Sequence, residues 1–179
     1  MGTHAAVDRA PTTQRARPSR EEGRRARTKE GTVDALKLLR EDHEKVKKLV
    51  SDIESTTERA VKTRTSELAR LKQELTIHEA IEEEIFYPAL KDHAKTREIA
   101  LEAYEEHGVV DMIMAEIEQT PVEDETWIAK FTVMKENLEH HIEEEEGEMF
   151  KQARQVFDKD TLEELGERMQ ARKRSGLAA

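Results

Sequence analysis

The chain has 179 residues, of which 39% are charged and 4% aromatic, and its formal net charge is −10. With only seven glycines and four prolines, the composition disfavours a β-sandwich or barrel and is typical of long amphipathic helices. The absence of cysteine excludes disulfides, thiol catalysis, cysteine-ligated zinc and iron–sulfur clusters.

The first 32 residues differ in composition from the rest of the chain. They carry eight basic and four acidic side chains, a net charge of +4, which leaves −14 on residues 33–179. Large apolar side chains are almost absent there, so burial cannot offset the entropy that ordering would cost. We predict a disordered basic arm over residues 1–32 that solubilises the chain, with contact to an acidic partner or nucleic acid as the alternative.

From residue 33 onwards, apolar residues recur with the period of an α-helix. We predict four long helices and a shorter fifth one, over about 33–55, 66–90, 96–119, 123–157 and 161–173. Thr32 is a candidate N-cap, Pro88 is expected to bend or end the second helix, and Pro121 closes the third. The short connections favour antiparallel neighbours. The predicted fold class is all-α: an up-down-up-down four-helix bundle over 33–157, with a short C-terminal helix and tail over 158–179.

A histidine interrupts the apolar stripe of each long helix. Steps of three and four residues along the stripes reach His43, His78, His107 and His141, and the second and fourth stripes add Glu82 and Glu145 one turn later. A single core histidine is more often hydrogen-bonded than metal-bound, and runs of glutamate usually face solvent. Buried carboxylates are costly without a compensating charge, however. The coincidence on four helices therefore predicts one metal centre.

The ligand types indicate which metal this centre holds. Four imidazoles and two carboxylates without a thiolate suit non-haem iron, whereas manganese is less favoured. Zinc is also less favoured, because it prefers four ligands around a single ion. If both carboxylates bridge, two metal ions keep room for a bridging oxygen and an open position. We predict two oxo- or hydroxo-bridged iron ions that bind a small diatomic molecule or peroxide.

The sequence resembles the hemerythrin-like family, specifically its HHE cation-binding branch, over about residues 36–150. The resemblance is carried by Leu38-Leu39-Arg40-Glu41-Asp42-His43, His78-x3-Glu82-Glu83 ending in Ile85-Phe86-Tyr87-Pro88, Glu105-Glu106-His107, and His141-Ile142-Glu143-Glu144-Glu145-Glu146 running to Met149-Phe150. It implies a non-haem di-iron centre in which the four histidines are terminal ligands and the two glutamates bridge. Oxygen-carrying hemerythrins usually have a fifth histidine where this chain has Asp111, which disfavours reversible oxygen carriage.

The remaining polar residues near these motifs are expected to have other roles. Asp111 is a candidate ligand or a partner of a ligand, while Tyr104 is expected to pack in the core, with approach to the metal as the alternative. His140 points away from the stripe and is expected to support a ligand or face solvent. Asp42 is predicted to face solvent. Two other histidines are not expected to be ligands: His93 and His4.

Together these observations predict a hemerythrin-like protein that binds or reacts with oxygen, peroxide or nitric oxide, in sensing, detoxification or iron handling. The alternative is a metal-responsive regulatory or interaction module without turnover, and a helical stress protein with an incidental metal site is the third reading. No apolar run is long enough to span a membrane, so we expect a cytoplasmic protein without a membrane partner. The acidic balance disfavours nucleic acid, and we expect a monomer or weak homo-oligomer.

Overall fold

Five helices make up residues 33–176, which is the part of the chain that the computed structural model describes. Helices α1, α3 and α5 span Ala35–Glu54, Arg97–Gln119 and Lys159–Gly176. Helix α2 begins as Val61–Ile81, passes through a π-helical turn at Glu82–Phe86 and ends as Tyr87–Lys91. Helix α4 is built in the same way from Glu125–Glu144, the π-helical turn Glu145–Met149, and Phe150–Val156. The predicted all-α class is confirmed, while the predicted arm lies outside the described residues.

Ion pairs between the helices show that neighbours run in opposite directions. Arg40, early in α1, lies 3.6 Å from Glu146, late in α4, whereas Glu54 at the end of α1 lies 2.7 Å from Lys135. Two contacts show that α2 and α3 are also antiparallel. Lys72 lies 2.7 Å from Glu118, and Glu83, later in α2, lies 3.0 Å from His107, earlier in α3. The four long helices therefore form the up-down-up-down bundle predicted from the short connections.

Several helix ends differ from the predicted ones. The N-cap of α1 is Asp34, whose Oδ1 accepts a hydrogen bond from the Lys37 backbone N–H at 3.1 Å, whereas the predicted cap Thr32 lies outside the described residues. Helix α2 begins at Val61, earlier than predicted, and continues past Pro88 to Lys91. Pro88 stands in the first turn of the last α-helical piece, where its missing N–H is tolerated.

The buried side chains form two apolar clusters separated by a polar layer. All the predicted stripe positions are buried, including every predicted histidine and glutamate. The Trp127 cluster fills one end of the bundle and includes Val46, Ile53, Leu71, Ile117, Trp127 and Phe131. The α5-side cluster fills the other end and includes Leu36, Leu39, Phe86, Phe150, Leu162 and Met169. In α1, α2 and α3 the histidine lies between residues of these two clusters in sequence, whereas in α4 Ile142 of the Trp127 cluster follows His141.

Helix α5 packs on the bundle through a close backbone contact. Leu162, Leu165 and Met169 enter the α5-side cluster, and Gly166 lies on the same side of the helix. A Cβ atom at Gly166 would lie 1.9 Å from the backbone oxygen of Val33, so only glycine permits this approach. The predicted fifth helix is therefore present, and at Lys159–Gly176 it is longer than predicted.

Asp42 is the one surface prediction that is wrong. Its exposed fraction is 2%, because α5 covers the face of α1 that a four-helix bundle alone would leave open. Lys173 of α5 donates to both of its carboxylate oxygens, and Lys45 donates to Oδ1 at 2.9 Å. The aspartate thus joins α5 to α1 through a nearly buried ion pair.

None of the helices within residues 33–176 is long and apolar enough to cross a membrane. The domain boundaries at residues 32 and 157 stay predictions.

Candidate metal centre

The polar layer between the two apolar clusters is built from one histidine on each long helix and a glutamate on two of them. Helices α1 to α4 supply one histidine each, and both glutamates begin the π-helical turns of α2 and α4. None of these six residues is more than 4% exposed: His43, His78, Glu82, His107, His141 and Glu145. The structure brings together every residue that the sequence placed in the metal centre.

The four imidazoles form two pairs. The rings of His43 and His78, the first pair, have centroids 4.8 Å apart and meet nearly edge to face. The rings of His107 and His141, the second pair, have centroids 4.7 Å apart. Each pair combines two neighbouring antiparallel helices, α1 with α2 and α3 with α4.

Both carboxylates lie between the two pairs. Glu82 Oε2 is 3.2 Å from Nε2 of His78 in the first pair and 3.5 Å from Nε2 of His107 in the second. Glu145 Oε2 is 3.2 Å from Nε2 of the first-pair histidine on α1 and 3.7 Å from Nε2 of the second-pair histidine on α4. Each carboxylate therefore touches one imidazole of each pair, which is the arrangement that two shared ligands require.

Several buried atoms of this layer have no hydrogen-bond partner. They are Nε2 of His43, both ring nitrogens of His78, both carboxylate oxygens of Glu82, and Oε2 of Glu145. Leaving a buried polar atom without a partner costs about 1–3 kcal/mol. Two sets of ligand atoms lie within 4.8 Å of one another: His43, His78, Glu82 and Glu145 in one set, and Glu82, His107 and His141 in the other. These atoms fit metal ligation in number, type and spacing.

The two carboxylates differ in their electrostatic environment. Burial raises the pKa of Glu82 well above its usual range, and the charge of Glu145 adds to this effect. Burial also opposes ionisation of Glu145, but the nearby His141 and His43 outweigh it, and its pKa lies below the usual value. The imidazoles therefore compensate one carboxylate but not both. A bound cation is the partner that allows both to stay ionised.

Three of the four histidines are oriented from behind by a glutamate. The Nδ1–H groups donate to carboxylate oxygens as follows: His43 to Glu146 at 2.9 Å, His107 to Glu83 at 3.0 Å, and His141 to Glu106 at 2.7 Å. Such a bond fixes the tautomer, so that the Nε2 lone pair faces the interior, and it raises the basicity of the ligand. Sequence reasoning missed these glutamates because each one stands beside a ligand within an acidic run.

Tyr87 is a further member of the site that sequence reasoning did not assign. Its fully buried hydroxyl donates to Glu145 Oε1 at 2.8 Å and lies 3.2 Å from Nε2 of His107. Burial, followed by the charges of Glu145 and Glu82, raises the pKa of its phenol well above the usual range. The signal was available in the sequence repeat, in which Tyr87 corresponds to Phe150 and only the first carries a hydroxyl.

The π-helical turns explain why Glu82 and Tyr87, five residues apart, both face the interior of the bundle. In α2 the Tyr87 N–H bonds to the Glu82 carbonyl, and in α4 the Phe150 N–H bonds to the Glu145 carbonyl, five residues back in each case. The wider turn moves the next inward-facing residue out of the ordinary helical register. Such turns occur frequently at functional sites.

The comparisons with known proteins agree with this geometry. The family model of the hemerythrin HHE cation-binding domain matches residues 34–153. The chain belongs to this family. A crystal structure of a hemerythrin HHE cation-binding domain-containing protein from Mycobacterium kansasii is 33% identical, covering 80% of this chain and 87% of that one, with a TM-score of 0.71. No curated protein matched the sequence.

Membership in the HHE family confirms the resemblance drawn from the histidine and glutamate motifs, and it implies a metal cofactor. The buried clusters of histidine and glutamate provide candidate ligands for that metal. The chain is therefore a metal-binding, hemerythrin-like protein.

The other candidate residues of this HHE domain are not members of the two buried ligand sets. Asp111 is exposed. The Tyr104 hydroxyl donates to the backbone oxygen of Glu83 at 2.9 Å, and its ring packs against Tyr87, as expected for core packing. The His140 side chain is 65% exposed and lies 3.5 Å from Glu144. The ring of His93 contacts Phe157, and His4 lies outside the described residues.

Proposed function

We propose that this HHE protein holds two non-haem iron ions at adjacent positions. One position uses the first histidine pair and the other uses the second pair. The first pair is His43 and His78, and the second is His107 and His141. Both positions share the two central carboxylates, Glu82 and Glu145. A single observation carries the proposal, namely that each carboxylate contacts one imidazole of each pair.

The ligand chemistry favours iron over the alternatives. Imidazole and carboxylate ligands with positions left open suit non-haem iron, and a tetrahedral zinc ion would leave part of the ligand set unused. When bound, iron supplies one-electron redox chemistry and coordination positions for a small molecule.

The surrounding residues restrict what can react at the site. The ligands are nearly inaccessible to solvent and lie between two apolar clusters. This enclosure favours small molecules such as oxygen, nitric oxide or peroxide. Tyr87 keeps a proton on its phenol oxygen, which donates to Glu145 Oε1 and lies beside Nε2 of His107, so a proton donor stands next to both shared and terminal candidate ligands.

The function is tested by adding peroxide, oxygen and nitric oxide separately to iron-loaded protein under anaerobic control. We expect peroxide consumption or a reproducible change in the visible spectrum with at least one of them. A protein that binds iron and responds to none of the three would instead fit the metal-responsive regulatory module.

Tyr87→Phe is expected to retain iron but to lower the rate of peroxide consumption. A positioned proton donor contributes about 10²-fold or more to such reactions, and the variant removes only the hydroxyl that contacts Glu145 and His107. Iron content and initial rates measure the effect. Tyr104→Phe is the matched control, because its hydroxyl bonds a backbone oxygen instead. Equal rates for Tyr87→Phe and the native protein would contradict the assignment.

A further inference from the structure

The bundle repeats itself in two halves, and the contacts behind the histidines follow this repeat. In sequence, Asp42-His43 on α1 matches Glu106-His107 on α3, and His78-x3-Glu82-Glu83 on α2 matches His141-x3-Glu145-Glu146 on α4. Two contacts are equivalent in the two halves: Glu83 of α2 accepts a hydrogen bond from the α3 histidine, and Glu146 of α4 accepts one from the α1 histidine.

A further contact, from a carboxylate beside one histidine to the histidine of the next helix, occurs in only one half. Glu106 of α3 accepts from Nδ1 of His141 at 2.7 Å, so the repeat predicts that Asp42 of α1 accepts from Nδ1 of His78. This bond is not made: Nδ1 of His78 has no hydrogen-bond partner within the described residues, although the residue is only 3% exposed. One buried imidazole of four therefore lacks the carboxylate that its counterpart has.

Helix α5 accounts for the missing contact. Lys173 donates to both carboxylate oxygens of Asp42, and Lys45 donates to one of them. Both acceptor atoms are thus engaged on the side facing α5. The other half of the bundle has no counterpart of α5 within the described residues, and there Glu106 stays available to its histidine.

We propose that the two metal positions differ in affinity, that the first-pair position is the weaker, and that Lys173 causes the difference by holding Asp42. This inference rests on the proposed di-iron function. Removing a carboxylate behind a ligating histidine typically costs about 10–100-fold in metal affinity. A difference of that order between the two positions follows from the unpartnered His78 nitrogen. Lys173 is a positioning residue, since it acts on the ligand only through Asp42.

The affinity difference is measured by following iron release to a chromogenic ferrous chelator from fully loaded, reduced protein under anaerobic conditions. We expect two phases of equal amplitude, one per position, with rates about 10–100-fold apart. Release of all the iron in a single phase would overturn the inequivalence. Loading with one iron or none would count against the proposed function instead, so the two failures can be told apart.

Two variants identify which position each phase reports. Glu106→Gln is expected to accelerate only the slow phase, by about 10-fold or more, because it removes the carboxylate behind His141. Asp42→Asn, its counterpart in the repeat, is expected to leave both rates unchanged, because Asp42 makes no hydrogen bond to Nδ1 of His78. Equal effects of the two variants would contradict the proposal.

Lys173→Met tests the role of α5. Freed from Lys173, Asp42 can turn to Nδ1 of His78, and the fast phase is expected to slow by about 10-fold. Lys173→Arg keeps the ion pair and should show native rates. In the double variant Lys173→Met/Asp42→Asn, the fast phase should return to its native rate, because no carboxylate is left to turn to His78. A purely structural role would alter both phases alike. If a folded Lys173→Met protein, checked by circular dichroism, keeps its native fast rate, the assignment to Lys173 is wrong.

Discussion

Glu82→Ala is expected to lose both metal ions, leaving roughly a tenth or less of the native content after identical loading. Glu82 contacts one imidazole of each pair and belongs to both sets of ligand atoms, so one substitution removes a ligand from each position. His141→Ala is likewise expected to abolish stable iron loading, since it removes one of only two imidazoles of the second pair. Iron per folded chain is the quantity to measure.

The controls separate loss of a ligand from loss of the fold. Glu84→Ala changes an exposed carboxylate in the same acidic run, one that pairs with Arg172, and should load normally. His93→Ala and His140→Ala should also load normally. A Glu82→Ala protein with native iron content, or an iron requirement for His93, would show that the ligand assignment is wrong.

The second large effect is expected at the contact between α5 and the start of α1. Gly166→Ala should lower the free energy of unfolding by about 3 kcal/mol, because overpacking against a rigid neighbour is costly. The new Cβ would lie 1.9 Å from the backbone oxygen of Val33 and 2.8 Å from the backbone nitrogen of Ala35, and neither atom can move away as a flexible side chain would. Denaturant unfolding of the metal-free protein measures the change.

Gly108→Ala is the matched control for this substitution. Gly108 also lies within a helix, but an added Cβ there would have no atom within 4 Å. The alanine should therefore stabilise the protein by about 0.5–1 kcal/mol through its higher helix propensity. If both substitutions stabilise the chain, α5 does not pack against Val33 as described.

Much of the fold was predictable because helical periodicity reports directly on burial. Leu71, Met114 and Leu138 are reached from the histidines of their helices by steps of three and four residues, and all three are buried. The same stripes identified the six metal-centre residues, since polar groups at buried positions need a compensating charge. A pattern with a 3.6-residue period carries this information for any regular helix.

The pattern failed where the helices stop being regular. After Glu82 the π-helical turn changes which residues face inward, so Phe86 and Tyr87 are buried beside each other. No simple periodicity describes that step, and Tyr87 was therefore not assigned to the site. The glutamates behind the histidines were missed for another reason: in an acidic run, a residue bonded to a ligand looks the same as one facing water.

The error at Asp42 shows the limit of reasoning about one helix at a time. Its position faces outward in a four-helix bundle, and only the placement of α5 buries it. Leu162 and Leu165 stand three residues apart on one side of the predicted fifth helix, and both are buried. The sequence contained no signal for which face of the bundle that side would cover, because this depends on contacts such as Gly166 with Val33.

The most direct test of the central claim is the iron content of the full chain after anaerobic loading with ferrous iron and removal of excess metal. The shared position of the carboxylates between the two histidine pairs predicts two iron ions per folded chain. Their magnetic coupling in the oxidised protein would show that they are adjacent. A content of one iron per chain or less, or two uncoupled ions, would contradict a dinuclear centre at this site.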